Sequence, residues 1–236
     1  MNLKNIISAN QFNTQILSQL FELTDRVKSN LYSNSFLAGK LMATLFYEPS
    51  TRTRLSFESA MQRLGGKVIT TENASEFSSA AKGETLEDTI RVVNSYCDII
   101  VLRHFSPGAS ETASRYSKVP IINAGDGNGE HPSQALLDLY TIFAKFKDKK
   151  ITVSMVGDLA NGRTIHSLSM LLSLYKDVKL IFVSPKALEI PSTLREHLKN
   201  KNVNFSEVTT LNEVLSASDV VYQTRIQKER FKSENE

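Results

Sequence analysis

Apolar runs of strand character alternate with segments of helical period along almost the whole chain, and that alternation leaves few folds open. In the first half, Leu41–Tyr47 (LMATLFY), Val68–Thr71, Asp98–Arg103 (DIIVLR) and Val119–Ala124 read as strands. Thr14–Val27 precedes them as a helix with Ile16, Leu17, Leu20, Phe21 and Val27 on one face. A second helix runs through Leu55, Ala60, Met61 and Leu64 to Gly65-Gly66, where a left-handed residue stops it. Thr85 and Asp88 form a capping pair for a third, with Leu86, Ile90 and Val93 inward. Pro132 opens the helix SQALLDLYTIFAKF after the glycine-rich loop GDGNGEHP. A second series follows: Ile151–Gly157, a helix after Arg163 carrying Ile165, Leu168, Leu171 and Leu172, Val178–Val183, a helix near Leu194–Leu198, a strand near Val203–Val208, a helix at Leu211–Ala217 and the strand Asp219–Gln223. The pattern predicts an α/β protein of two doubly wound parallel-sheet domains, 1–134 and 135–236, divided at the helix after His131.

Composition narrows the function classes. With 28 Lys+Arg against 25 Asp+Glu the formal net charge is +3, too weak a field over 236 residues to argue for nucleic acid. The single cysteine, Cys97, excludes an internal disulfide framework and fits a reducing compartment; at the start of an apolar strand it reads as a small buried hydrophobe. No apolar run approaches the roughly 20 residues of a membrane span, and MNLKNIISANQF does not read as a secretory leader. The expectation is a cytoplasmic protein that binds neither membrane nor nucleic acid, with any decisive positive charge gathered in a pocket.

Ligands of such sheets bind outside the carboxyl ends of the strands. Directly after Leu41–Tyr47 stands Glu48-Pro49-Ser50-Thr51-Arg52-Thr53-Arg54. Hydroxyls, two guanidiniums and the unbonded N–H groups of a helix start make a phosphate cradle. The same residues would also serve a capped helix with two solvated arginines. Arg103 closes another strand, pointing into the crevice or out to water. His131 and Gln134 lie one helical turn apart and could both donate to a carbonyl oxygen, or merely begin a helix. Asp158 and Asn161 read as shaping a turn and capping the next helix, and His166 as structural. Histidines 104, 131, 166 and 197 show no ligand spacing with Cys97, so neither metal nor other cofactor is expected.

FYEPSTRTRLSFESA, KGETLEDT, VLRH, NAGDGNGEHPSQALLDLYT and VGDLANGRTIHSL resemble the aspartate and ornithine carbamoyltransferase family, in order and over nearly the whole chain. YQTRIQKERF is similar to its aspartate branch. The resemblance implies transfer of the carbamoyl group of carbamoyl phosphate to the amine of L-aspartate, giving N-carbamoyl-L-aspartate and phosphate in pyrimidine (UMP) biosynthesis. It implies that residues 1–134 bind carbamoyl phosphate and 135–236 bind aspartate. Ser50, Thr51, Arg52 and Thr53 would hold the phosphate, Arg103 would bridge phosphate and carbonyl oxygens, and His131 and Gln134 would bind the carbamoyl group. Arg163 would take the α-carboxylate of aspartate, and Arg225 and Gln227 its side-chain carboxylate. Ser78 and Lys82, on the polar loop NASEFSSAAKG, would reach from a neighbouring subunit of a homotrimer, Lys82 toward the aspartate as well. The catalytic set would be Arg52, Thr53, Lys82, Arg103 and His131. A regulatory chain is a further partner that the family admits.

Family chains continue beyond the TRIQKERF motif, so the second domain is expected to be incomplete at its C-terminus. Two alternatives stand beside the aspartate reading. One is an ornithine-specific member, against which the arginines argue, because they suit a dicarboxylate and repel a side-chain ammonium. The other is an inactive truncated homologue that binds carbamoyl phosphate or an active partner chain.

Overall fold

The computed structural model describes residues 3–29, 34–72, 83–146 and 149–224. The chain divides into two compact units, Met1–Gln134 and Ala135–Glu236. In the first, α1 (Thr14–Lys28) precedes β1 (Leu41–Phe46), α2 (Thr51–Arg63), β2 (Lys67–Glu72), α3 (Leu86–Val93), β3 (Ile99–His104), α4 (Ala109–Tyr116) and β4 (Ile121–Asp126). The helix α5 (Pro132–Phe146) leads into the second, which holds β5 (Ile151–Val156), α6 (Arg163–Leu172), β6 (Val178–Val183), α7 (Ser192–Asn200), β7 (Asn204–Val208) and β8 (Val220–Gln223). Each unit has a four-stranded sheet, in the orders β2-β1-β3-β4 and β7-β6-β5-β8. Every strand pair is parallel, so the expected α/β class holds.

Strand alternation builds the first core. Ala43 and Leu45 of β1, with Tyr47 just beyond it, face Ile90 of α3 and Ala113 of α4, with Ile100, Leu102 and Ile121. Met42 and Phe46 point the other way, onto Met61 of α2 with Val101 and Ala124. Burying an aliphatic or aromatic side chain of this kind contributes roughly 1.5–3 kcal/mol. Thr44, fully buried on the α2 side, hydrogen-bonds Glu58 at 2.9 Å and Thr70 at 2.8 Å, which pins α2 to β1 and β2. Gly65 ends the α2 region at φ +87°, and a Cβ there would lie 2.1 Å from the Asn34 carbonyl oxygen. Only glycine serves at that stop.

Two elements differ from the sequence reading. The helix expected at Leu211–Ala217 is a pair of 3₁₀ turns, Leu211–Glu213 and Leu215–Ala217, each closed by a backbone bond from the residue that follows it. Seven residues in which only Val214 becomes buried cannot anchor a full helical face. Conversely α4 (ASETASRY) carries almost no apolar stripe and gave no periodic signal. It buries Ala109, Ser110 and Ala113, small residues that let it sit close to its neighbours. The loop NASEFSSAAKG lies outside the described residues except for Gly83.

Candidate active site

In the first sheet the chain runs from β1 outward to β2, then returns past β1 to β3. The carboxyl ends of β1 and β3 therefore flank the point where the winding reverses. The two ends are tied together: the Tyr47 amide donates to the Arg103 carbonyl oxygen at 2.8 Å. Opposite Arg103 the ladder to β4 slips. Leu102 pairs with Asn123 but His104 pairs with Asp126, so β4 holds one extra residue there. Such a bulge locally re-aims side chains. The Arg103 guanidinium, on a residue only 8% exposed, donates to the Ala124 carbonyl oxygen at 3.1 Å and pairs with the Glu48 carboxylate at 2.7 Å.

The start of α2 lies beside this pair. Ser50 occupies the N-cap position at φ −161° and ψ 84°, yet its side chain makes no capping hydrogen bond. The hydroxyl is not spent on the helix, and the first-turn N–H groups of a 13-residue helix face outward with the positive end of its dipole. Arg52 is exposed in that first turn, and no ion pair among the described residues engages it. Arg54 behaves differently. Its Nη1 pairs with Glu72 at 2.9 Å and its Nε lies 3.9 Å from Glu58, so the second guanidinium of the motif braces α2 against the end of β2.

The third contribution follows β4. Asp126 accepts from the amides of Glu130 at 2.8 Å and Gly108 at 3.0 Å, folding the glycine-rich loop back on itself. The Glu130 carboxylate reaches the N-terminal segment, accepting from the Ser8 hydroxyl at 2.6 Å and the Ala9 amide at 2.7 Å. His131 then stands buried at the entrance to α5. The Gln134 amide donates to its Nδ1 at 3.4 Å, and the Ser133 hydroxyl lies 3.3 Å from the same nitrogen. An Nδ1 that accepts leaves the proton on Nε2, the tautomer able to donate to a substrate oxygen. His104, at the end of β3, is held below the ordinary histidine range, chiefly by burial, while Asp126 and Glu48 pull the other way.

Ser50, Thr51, Arg52, Thr53, Arg103, His131 and Gln134 thus all stand at the carboxyl edge of the first sheet. Arg163 belongs to the second unit, where it opens α6. The turn before it is shaped by Asp158, which accepts from the Asn161 amide at 2.9 Å and from the Asn161 side chain at 3.1 Å. The N-cap itself is Gly162, so neither Asp158 nor Asn161 caps the helix as expected. His166 is structural, donating from Nε2 to the Leu159 carbonyl oxygen at 2.8 Å. Cys97 is half-buried against the first core rather than sealed in it, and burial pushes its thiol up. Ser78, Lys82, Arg225 and Gln227 lie outside the described residues. Among the described residues no group of three His, Cys, Asp or Glu side chains could hold a metal ion. Sequence reasoning passed over Glu48 and Glu130. A carboxylate beside a phosphate cradle looks misplaced until its arginine partner is visible, and Glu130 acts on residues more than a hundred positions away.

The fold and this edge define a doubly wound α/β protein that gathers hydroxyls, guanidiniums and an uncapped helix start at the switch point of its first sheet. Residues 4–144 match the carbamoyl-P binding domain, and residues 149–236 the Asp/Orn binding domain, of aspartate/ornithine carbamoyltransferases. The chain belongs to the aspartate/ornithine carbamoyltransferase family. It is 59% identical over 233 residues to the chloroplastic aspartate carbamoyltransferase 1 of Pisum sativum, covering 97% of this chain and 60% of that one. It is 50% identical to the aspartate carbamoyltransferase catalytic subunit of Methanocaldococcus jannaschii, covering 99% and 78%. A crystal form of the M. jannaschii catalytic subunit superposes with a TM-score of 0.89 at 50% identity, covering 99% of this chain and 77% of that one. The Trypanosoma cruzi aspartate transcarbamoylase bound to N-(phosphonacetyl)-L-aspartic acid gives 0.88 at 42% identity, covering 97% and 74%. The chain spans about 60% of the length of the pea relative.

Proposed function

We propose that this chain is the catalytic part of an aspartate carbamoyltransferase, joining carbamoyl phosphate and L-aspartate to give N-carbamoyl-L-aspartate and phosphate. The observation that carries the reading is the uncapped, dipole-positive start of α2, with Arg103 and a buried His131 at the same sheet edge. The aspartate nitrogen forms a bond to the carbamoyl carbon, the carbon–oxygen bond to phosphate breaks, and the amine proton leaves with phosphate. Charge grows first on the carbonyl oxygen, where His131 Nε2–H and the Arg103 guanidinium would donate, with Gln134 on the carbamoyl group. It then grows on the departing phosphate, where Ser50, Thr51, Thr53, the first-turn amides and Arg52 would receive it. Fixed donors of this kind typically contribute a factor of about 10²–10³ each in rate. Arg163, with Arg225 and Gln227, would hold the two carboxylates of aspartate. An ornithine side chain would instead meet these cations with its own ammonium.

The family resemblance carries the rest of the proposal. Ser78 and Lys82 of one subunit complete the site of its neighbour in a closed homotrimer, in a cytoplasmic step of pyrimidine formation. The pea relatives, by contrast, are named chloroplastic. The test uses the complete product of the gene that encodes this sequence. Supplied with carbamoyl phosphate, it is expected to convert L-aspartate to N-carbamoyl-L-aspartate and to leave L-ornithine unchanged. Light scattering on the same preparation is expected to give the mass of three chains. Carbamoylation of ornithine, or none of aspartate, would overturn the activity; a fully active monomer would remove the shared site.

A further inference from the structure

The second unit contains a polar cluster that none of these roles uses. The Tyr222 hydroxyl donates to Asp138 Oδ2 at 2.8 Å, and its oxygen is also hydrogen-bonded to the Thr164 side chain. With the phenol proton committed to the carboxylate, the Thr164 hydroxyl is the donor in the second bond. Three elements meet at one oxygen: Asp138 lies on α5, Thr164 is the second residue of α6, and Tyr222 is on β8. Thr164 directly follows Arg163, and Tyr222 precedes Arg225 by three positions in the chain. Burial pushes the Tyr222 hydroxyl up, with the Asp138 charge adding to it, so the group remains a neutral donor.

We propose that Tyr222, Asp138 and Thr164 form a positioning cluster that fixes the start of α6 against β8, so that Arg163 meets its carboxylate at a constant place. Packing of Ile165, Leu168, Leu171 and Leu172 holds the body of α6, whereas its first turn depends on directed bonds such as that of Thr164. Such bonds lapse when the helix start shifts by about 1 Å, and a misplacement of that size can cost on the order of 10²-fold in a reaction that depends on orientation. Phenylalanine at 222 would fill the same space without the bonds. The identity of the carboxylate rests on the proposed function; the cluster does not.

The experiment is steady-state kinetics of Tyr222→Phe in the complete gene product, with Thr164→Val and Thr164→Ser alongside. Tyr222→Phe is expected to raise the aspartate KM roughly tenfold, leaving the carbamoyl phosphate KM and the saturated kcat within about twofold, because a misplaced Arg163 weakens one substrate only. Thr164→Val should move the same way by a smaller factor, and Thr164→Ser, which keeps the donor, should restore the parent value. An unchanged aspartate KM in Tyr222→Phe, or equal losses with both substrates, would overturn the cluster's role. If Tyr222→Phe does not fold, the Val and Ser pair decides on the same criterion. Should the parent protein make no N-carbamoyl-L-aspartate, the functional reading fails separately. Amide exchange at the first turn of α6, expected to quicken in Tyr222→Phe, then tests the cluster, and unchanged exchange would overturn it.

Discussion

The two sheets face the same topological situation and use it differently. In the first, the winding reverses between β1 and β3, and a Glu48–Arg103 ion pair joins the backbone tie there, with the start of α2 alongside. In the second, the reversal falls between β5 and β8, where the same kind of backbone tie joins the strand ends and a close glycine contact is added to it. The Thr224 amide donates to the Val156 carbonyl oxygen at 2.8 Å, and Gly157, at φ +124°, brings its Cα so close that an added Cβ would lie 2.6 Å from the Thr224 carbonyl oxygen. The first switch point gathers hydroxyl and charged side chains. The second is tightly packed backbone, and Arg163 follows Gly157 by six positions in the chain. Identical architecture therefore says where a ligand could sit, and the residues at each strand end decide whether one does.

The sharpest way to break that contrast is to fill the tight one. Gly157→Ala forces a left-handed conformation on a residue with a side chain and drives its methyl into backbone, costing about 3 kcal/mol in strain and overpacking. Chemical denaturation should show the second unit losing stability, with aspartate binding weakened and phosphate binding kept. Equal loss of both would mean that the two switch points are not independent.

A smaller effect sharpens the picture of the first one. His104 stacks on Phe105 at 4.2 Å between centroids and accepts the Ser106 amide on Nδ1, and burial holds its pKa below 6.5. The unfolded chain therefore takes up the proton first, and stability falls as pH drops below about 6.5. His104→Asn keeps an acceptor for Ser106 and removes the titration. Its unfolding free energy should lose up to one proton's slope in acid, at most about 1.4 kcal/mol per pH unit. An unchanged acid slope would mean that His104 is accessible to protons in the folded state.

Much of this was legible from residue type and order. The strands of both sheets follow from apolar runs of the right length, and Ser50–Arg54 stands out as a candidate phosphate cradle because a strand hands over to a helix there. What escaped were features set by tertiary partners. Nothing local says that Arg54 turns to Glu72 while Arg52 stays exposed, or that Glu48 and Arg103, fifty-five positions apart, share a crevice. The helix α4 was invisible because its buried face is made of alanine and serine, which carry no hydrophobic period. Glu130, within a glycine-rich loop, carries no local sign that it clasps the N-terminal segment.

The central claim is that the start of α2 is the phosphate site of an aspartate carbamoyltransferase. Its most direct test is calorimetric titration of the complete gene product with N-(phosphonacetyl)-L-aspartic acid, the ligand of the T. cruzi relative. Arg52 supplies the exposed cation there, and a hydrogen bond to a charged group typically contributes roughly 1.5–3 kcal/mol. The parent protein should bind the ligand, and Arg52→Ala should bind it about 100-fold more weakly while unfolding at the same denaturant concentration. Equal affinity in the two proteins would contradict the assignment of the phosphate to this helix.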